Sequence, residues 1–209
     1  MADFKTHLTG GIVLGSGGAL VALLGLNFNY IQSFSVFTMG TVGGVLPDID
    51  SDSGKPLNLI FGTISVLLPA LLLEKMSVSE SLTPEFLVSY FVCSYFIINY
   101  LICGLVKKVT VHRGIIHSLP FAVLSGEIGY LLFVTSGKTV ALAIGVTVFA
   151  GCFVHLILDE LHSFTLKYRV FPVLKKTSGT ALKFKSDGPL LNIALYGLIS
   201  VTAMIILFG

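Results

Sequence analysis

The chain has 209 residues, of which 54% are apolar and only 11% are charged. Soluble domains carry about 25% charged residues, so this composition excludes an ordinary soluble protein and indicates an integral membrane protein. The net charge of +2 arises from scattered basic residues. Because they form no dense stripe, nucleic acid is not an expected partner.

Apolar runs long enough to cross a bilayer predict about seven transmembrane helices. Their expected ranges are 8–26, 30–46, 57–73, 86–106, 115–134, 139–158 and 189–208. The predicted fold class is therefore all-α, a polytopic membrane helix bundle, with residues 1–209 forming a single integral membrane domain. The second run is short and ends at Pro47, so a re-entrant segment is the alternative there.

The basic residues predict the orientation of the chain. With seven crossings, eleven of the thirteen Lys and Arg residues lie on one side, and only Lys75 and Lys138 lie on the other. The positive-inside rule then puts the N-terminus in the cytoplasm, and we expect the chain in the cytoplasmic (inner) membrane of a bacterium or archaeon. Membrane lipids are the expected partners, and the basic segment from Lys167 to Lys185 favours anionic headgroups.

Candidate metal ligands lie at the predicted cytoplasmic ends of the spans. They are His7 before the first span, Asp48 and Asp50 after the second, His112 and His117 at the fifth, and His155 and Asp159 at the end of the sixth. Imidazole and carboxylate together are typical ligands of zinc, which we favour, or of manganese or iron. The number of candidates allows either two ions or one ion with carboxylates that orient the imidazoles.

Local spacing predicts how some of these side chains converge. His155 and Asp159 are four residues apart and share one helical face. Asp48 and Asp50 alternate with Ile49, so an extended backbone would point both carboxylates the same way. In the segment HRGIIHS, residues 112–118, we expect His112 in a loop, a bend at Gly114 and His117 in the first helical turn.

Several polar residues also have a purely structural interpretation. His7 can be an interfacial histidine in contact with headgroups, and Asp48 can cap a helix or shape a turn. Arg113 can anchor to a lipid phosphate, and His162 can be solvated. Glu127 lies in the middle of a predicted span, so we expect it to face the bundle interior and to form a hydrogen bond with another span.

Three motifs in this order, LPDID, HRGIIHS and HLILDE, resemble the YdjM/DUF457 family. The resemblance covers most of the chain, from THLTGG to GTALKFKS. Members of this family are described as membrane-bound metal-dependent hydrolases and in some cases as LexA-binding. Carried over to this sequence, the resemblance implies a metal site made by His7, Asp48, Asp50, His112, His117, His155 and Asp159.

The leading functional hypothesis is a metal-dependent hydrolase at the cytoplasmic membrane surface, with a lipid or another amphiphile as substrate. Asp48 or Asp50 is the candidate general base, and Arg113 can hold a phosphate, which slightly favours a phosphoester over an amide. The alternative is a non-enzymatic metal-binding protein: a transporter, a sensor or a partner-recruiting scaffold. A transporter is expected to carry polar ligands near the membrane midplane, where the sequence offers only Glu127 and Asn99.

The charge pattern predicts the topology. Reporter fusions after Gly54, Gly137 and Gly209 should report cytoplasm, outside and outside, respectively. A C-terminal reporter that is active in the cytoplasm would rule out seven crossings with this orientation.

Overall fold

The computed structural model describes residues 2–50, 54–75, 83–109, 115–162, 164–167, 171–174, 183–185 and 188–209. The helices within these ranges are α1 (Phe4–Gly25), α2 (Tyr30–Val45), α3 (Gly54–Lys75), α4 (Pro84–Phe96), α5 (Cys103–Val109), α6 (Leu119–Leu132), α7 (Lys138–Leu161) and α8 (Pro189–Phe208). A 3-10 helix, Leu46–Asp50, follows α2, and a π-helical segment, Ile97–Ile102, joins α4 to α5.

The prediction of an all-α membrane bundle is confirmed. Because α4, the π-helical segment and α5 are continuous, the described helices correspond one to one with the seven predicted spans. Four stretches are long and apolar enough to cross a membrane: Phe4–Gly25, Pro84–Val106, Lys138–Leu161 and Pro189–Phe208. Leu59–Leu73 and Leu119–Leu132 are shorter apolar helices. The 16 residues of α2 rise only about 24 Å, less than a hydrocarbon core of about 30 Å.

A small β-hairpin interrupts the helical pattern between α7 and α8. Strand β1 (Phe164–Lys167) pairs antiparallel with β2 (Phe171–Leu174), with Phe164 opposite Leu174 and Lys167 opposite Phe171. From the sequence we named only a basic segment that begins at Lys167, the last residue of β1, and predicted no strand there. The signal we passed over is the run of aromatic, β-branched and aliphatic residues in both strands, which favours extended backbone.

The chain divides into two compact units, one formed by residues 1–48 and 113–209 and the other by residues 49–112. In the first unit, α1, α2 and α7 surround an apolar cluster formed by Ala22, Phe28, Val36, Val140, Ile144 and Val148. The second unit has its own cluster, formed by Leu57, Phe61, Ile98 and Cys103. Within it, the Tyr90 hydroxyl donates to the Pro69 carbonyl at 2.8 Å and ties α4 to α3. A single integral domain stays a prediction.

Glycines bring α2 into backbone contact with α1 and α7. A Cβ atom added at Gly44 would lie 2.5 Å from the Cα of Gly11, and one at Gly151 would lie 2.6 Å from the Gly40 carbonyl oxygen. Real Cβ atoms do not approach backbone so closely. In a membrane, such contacts supply much of the attraction between helices, because lipid chains are as apolar as leucine.

Glu127 forms the interhelical hydrogen bond that its position predicts. The Thr202 hydroxyl of α8 donates to Glu127 Oε2 of α6 at 2.6 Å. Glu127 is half-buried and lines a cavity of about 260 Å³ together with Tyr130, Leu142 and Phe149. The carboxyl therefore links the last helix to the rest of its unit, where an unbonded polar group would be costly.

The contact between α2 and α7 is testable with two alanine substitutions. Gly151→Ala should lower the free energy of unfolding by about 1–3 kcal/mol, because the new methyl group meets backbone that cannot rotate away. Gly17→Ala is the matched control, since no atom lies within 4 Å of its added Cβ. It should be neutral or stabilising in a detergent thermal-unfolding assay. Equal behaviour of the two variants would contradict the close packing at Gly151.

Candidate metal centre

Four helix ends of the first unit converge on one buried cluster. His7 lies in the first turn of α1, Asp48 follows α2, His117 precedes α6, and His155 and Asp159 lie in the last turns of α7. The exposed fraction is 1% for His7, 4% for Asp48, 1% for His117, 0% for His155 and 1% for Asp159. The structure thus brings together five of the seven ligands that the sequence suggested.

His155 is held in one orientation by α2. Its Nδ1 atom lies 2.9 Å from the Gly44 carbonyl oxygen. A carbonyl only accepts hydrogen bonds, so Nδ1 donates and carries the proton of the neutral ring. Nε2 then bears a lone pair directed into the cluster, with Asp48 Oδ1 3.9 Å away. A histidine whose outer nitrogen bonds a backbone carbonyl is the usual arrangement of a metal-binding imidazole.

His7 lies at the centre of the cluster, although the sequence analysis left it open as an interfacial residue. Its ring stacks on that of His155, with centroids 3.6 Å apart and planes tilted by 14°. His7 Nε2 lies 3.2 Å from Asp159 Oδ1. With 1% of its surface exposed, His7 is not placed to contact headgroups.

His117 completes the cluster from the α6 side. Its Nε2 atom lies 3.9 Å from Asp159 Oδ2, and its ring centroid lies 5.4 Å from that of His155. Ligand bonds of about 2.0–2.1 Å at tetrahedral angles hold neighbouring donor atoms about 3.3 Å apart. The distances of 3.2–3.9 Å between donor atoms of this cluster are of that size.

The chemistry of the cluster fits a metal ion. Nδ1 of His7 and Nε2 of His155 are buried without a hydrogen-bond partner among the described residues, which is costly unless another group meets them. The donor atoms of His7, Asp48 and His155 lie within 4.8 Å of one another, as do those of His117, His155 and Asp159. Both groups include His155, whose Nε2 has a single lone pair, so separate ions cannot fill the two groups at the same time.

The backbone at the two aspartates is not the extended one that their alternation had led us to expect. The sequence analysis expected extended backbone, but Leu46–Asp50 is a 3-10 helix, in which residues two apart differ by about 240° in direction. The turn begins immediately after α2 and contains Pro47, whose ring favours helical φ angles. Asp48 joins the cluster, whereas the side chain of Asp50 lies outside the described part of the structure. His112, Arg113 and Gly114 also lie outside the described residues.

The start of α6 also differs from the prediction. His117 does not lie in the first helical turn, because Ser118 is the N-cap and the helix begins at Leu119. The Ser118 hydroxyl accepts from the Phe121 amide at 3.3 Å, and the Leu119 amide donates to the Lys183 carbonyl at 3.1 Å. The serine and the proline that follows it, Pro120, are typical of a helix start. Non-helical backbone at His117 turns its ring towards α7.

Two backbone groups that the sequence did not predict hold side chains of the cluster. The Gly44 carbonyl orients His155, and the Ala2 amide donates to Asp159 Oδ1 at 3.0 Å. For the contact of Ala2 with Asp159, the sequence offers one indication, which is the helix-capping residue Asp3 next to Ala2. Asp3 caps α1 by accepting a hydrogen bond from the Thr6 amide at 2.9 Å. Hydrogen bonding from the Thr6 hydroxyl, with that amide, lowers the pKa of the Asp3 carboxyl below its usual value.

The structure separates His162 from the other described histidines. It is exposed at the end of α7, and its Nδ1 bonds the Leu158 carbonyl at 2.8 Å. It therefore provides a matched control for a mutational test of the cluster.

We predict that His155→Ala abolishes metal binding, because it removes the ligand common to both donor groups, whereas His162→Ala leaves binding intact. Metal content of purified protein, measured by mass spectrometry, is the readout. Asp159→Asn preserves side-chain shape and should also lose metal. Loss of metal in both variants would therefore not be explained by misfolding of the alanine variant alone. A chelator should lower the thermal stability of the wild type but not of these depleted variants. Full metal occupancy in His155→Ala would refute the site.

No curated protein and no solved structure matches this chain significantly. The profile of a family described as YdjM inner membrane protein matches residues 1–208, essentially the whole chain, and confirms the resemblance seen in the three motifs. The chain is thus a membrane protein of the YdjM inner membrane protein family.

Proposed function

We propose that this protein is a metal-dependent hydrolase at the cytoplasmic face of the membrane that acts on a lipid or another amphiphile. The observation that carries the proposal is the buried cluster of three imidazoles and two carboxylates at the ends of four helices. Nitrogen and oxygen donors without cysteine are typical of hydrolytic zinc sites. The ends of membrane helices are also where the polar bond of an amphiphile meets the protein.

Individual residues have distinct roles in this proposal. His155, oriented by Gly44, and His7, His117 and Asp159 are the proposed ligands. Asp48 is a further ligand or a base. A bound zinc ion would polarise the scissile group and lower the pKa of water to about 7. Ala2 holds the Asp159 carboxylate in place.

The reacting groups are assigned by chemistry. A carboxylate that accepts a proton from the attacking water is required, and Asp50 is the candidate, two residues after the Asp48 ligand. Arg113 is the candidate for holding a phosphoryl group bidentately, which makes a phosphoester the preferred substrate.

The two aspartates provide the decisive comparison. Asp50→Asn should lower turnover of a phospholipid substrate by about 10²–10⁴-fold while metal remains bound, since it removes a general base. Asp48→Asn should lower metal content as well, because Asp48 Oδ1 lies among the donor atoms. Phosphate or headgroup release from lipid nanodiscs is the readout, with His162→Ala as the control. Turnover that survives complete removal of metal would overturn the proposal.

The extreme burial of the cluster favours a second candidate function, metal sensing without hydrolysis. His155 is 0% exposed and the other four side chains are at most 4% exposed, which suits a closed metal site that leaves no coordination position open to water. A sensor would bind metal and gain thermal stability, yet release no product from any lipid tested. The nanodisc assay therefore distinguishes the two functions.

A further inference from the structure

A groove runs along the seam between α1 and α7, on a side of these helices next to the metal cluster. It has a volume of about 550 Å³ and is lined by Asp3, Lys5, Thr6, Thr9, Gly10, Val13, Leu14, Val154 and Leu158. Val154 and Leu158 directly precede His155 and Asp159 in α7, and Thr6 directly precedes His7 in α1. The groove and the cluster therefore lie at the same level of the same two helices.

Polarity changes along the groove. Its mouth carries the ions Lys5 and Asp3, whereas its far part is lined by aliphatic side chains. Lys5 and Val13 are separated by about 12 Å along the α1 axis at 1.5 Å per residue. Since α1 is long and apolar enough to span a membrane, the apolar part opens towards lipid chains and the charged mouth lies at the headgroup level.

Gly10 sets the depth of the groove. A Cβ atom added at Gly10 would lie 2.7 Å from Leu158 Cδ1 and 3.3 Å from Val154 Cγ1. The missing side chain lets these two residues lie against the α1 backbone and form the floor of the groove. Val13, by contrast, is 67% exposed and stands at the rim.

We propose that this groove binds one acyl chain of a phospholipid whose headgroup carries both a phosphate and an amine. The aliphatic floor takes the chain, the Lys5 ammonium attracts the phosphate, and the Asp3 carboxylate attracts the amine. A carboxyl with an ordinary pKa is already ionised at neutral pH, and hydrogen bonding from Thr6 lowers the pKa of Asp3 further, so the mouth carries one charge of each sign. A purely anionic headgroup would leave Asp3 facing like charge.

Binding of a phospholipid in the groove does not depend on the proposed hydrolase function. Only the statement that this lipid is the substrate rests on that function. Chain binding in the groove would hold the headgroup beside helix ends that carry His7 and Asp159. The groove thereby selects two-sided molecules, with an apolar tail and a charged head, over soluble phosphoesters.

Photo-crosslinking tests the groove independently of turnover. The probes are a phosphatidylethanolamine and a phosphatidylglycerol, each with the same diazirine in one acyl chain, added to the full-length protein in nanodiscs. The ethanolamine probe should label α1 and α7 peptides containing Val13, Leu14, Val154 or Leu158. Val13→Trp fills the groove and should reduce this labelling at least fivefold. Val21→Trp is the control, because Val21 is 63% exposed on the same helix but does not line the groove.

Each outcome decides one claim. Equal labelling in Val13→Trp and Val21→Trp overturns the groove as the binding site, and stronger labelling by the glycerol probe overturns the headgroup assignment. Groove labelling that persists in the metal-depleted Asp159→Asn variant supports a lipid site separate from the ion. If the wild type is labelled in the groove but releases no product from either lipid, the hydrolase proposal is rejected and the groove is kept as a lipid-binding site. If it releases product without groove labelling, the groove is rejected as a lipid-binding site and the hydrolase proposal is kept.

Discussion

The buried histidine and aspartate cluster depends on the backbone contact of α2 with its two neighbours. Gly44 meets Gly11 of α1, and the α2 backbone from Gly40 to Gly44 meets Gly151 of α7. His7 lies one helical turn before Gly11, and His155 lies one turn after Gly151. The same glycine contacts that pack the three helices therefore bring the two imidazoles into a stack.

Close packing also selects the tautomer of His155. Because α2 approaches α7 at backbone distance, the Gly44 carbonyl reaches His155 Nδ1 directly. A larger residue at the helix crossing would move this carbonyl away and leave the imidazole free to turn. Helix association and preparation of the ligand lone pair are thus consequences of one contact, which explains why glycine is needed beside the cluster.

The cluster is buried in the protein but lies at the ends of its helices, near the level of the membrane surface. Five ionisable side chains at helix ends avoid most of the cost of charge at the bilayer centre, and they converge because α1 and α6 begin where α2 and α7 end. The groove between α1 and α7 extends from the same level into the apolar part of the unit. The amphiphile that we propose as partner has a charged head and an apolar tail, and so it matches both features.

Much of this protein follows from its sequence alone. Apolar runs predicted the helices, with α8 placed at Pro189–Phe208 as observed, because segments that span lipid must be long, continuous and apolar. The four-residue spacing of His155 and Asp159 correctly placed both on one face of α7, since helical periodicity is a local property. The motifs were also sufficient to identify the family.

Tertiary structure decided which residues of different helices and turns meet, because helical periodicity describes only one helix at a time. Only the packing of α1 against α2 and α7 shows that His7 is a central member of the cluster and not an interfacial residue. The 3-10 turn at Leu46–Asp50 and the Ser118 cap that leaves His117 before the helix depend on how the chain leaves one helix and enters another. The contacts of Gly44 and Ala2 with His155 and Asp159 involve backbone groups. Every residue except proline carries the same backbone amide and carbonyl, so no sequence pattern marks which of them meets a side chain more than 100 positions away.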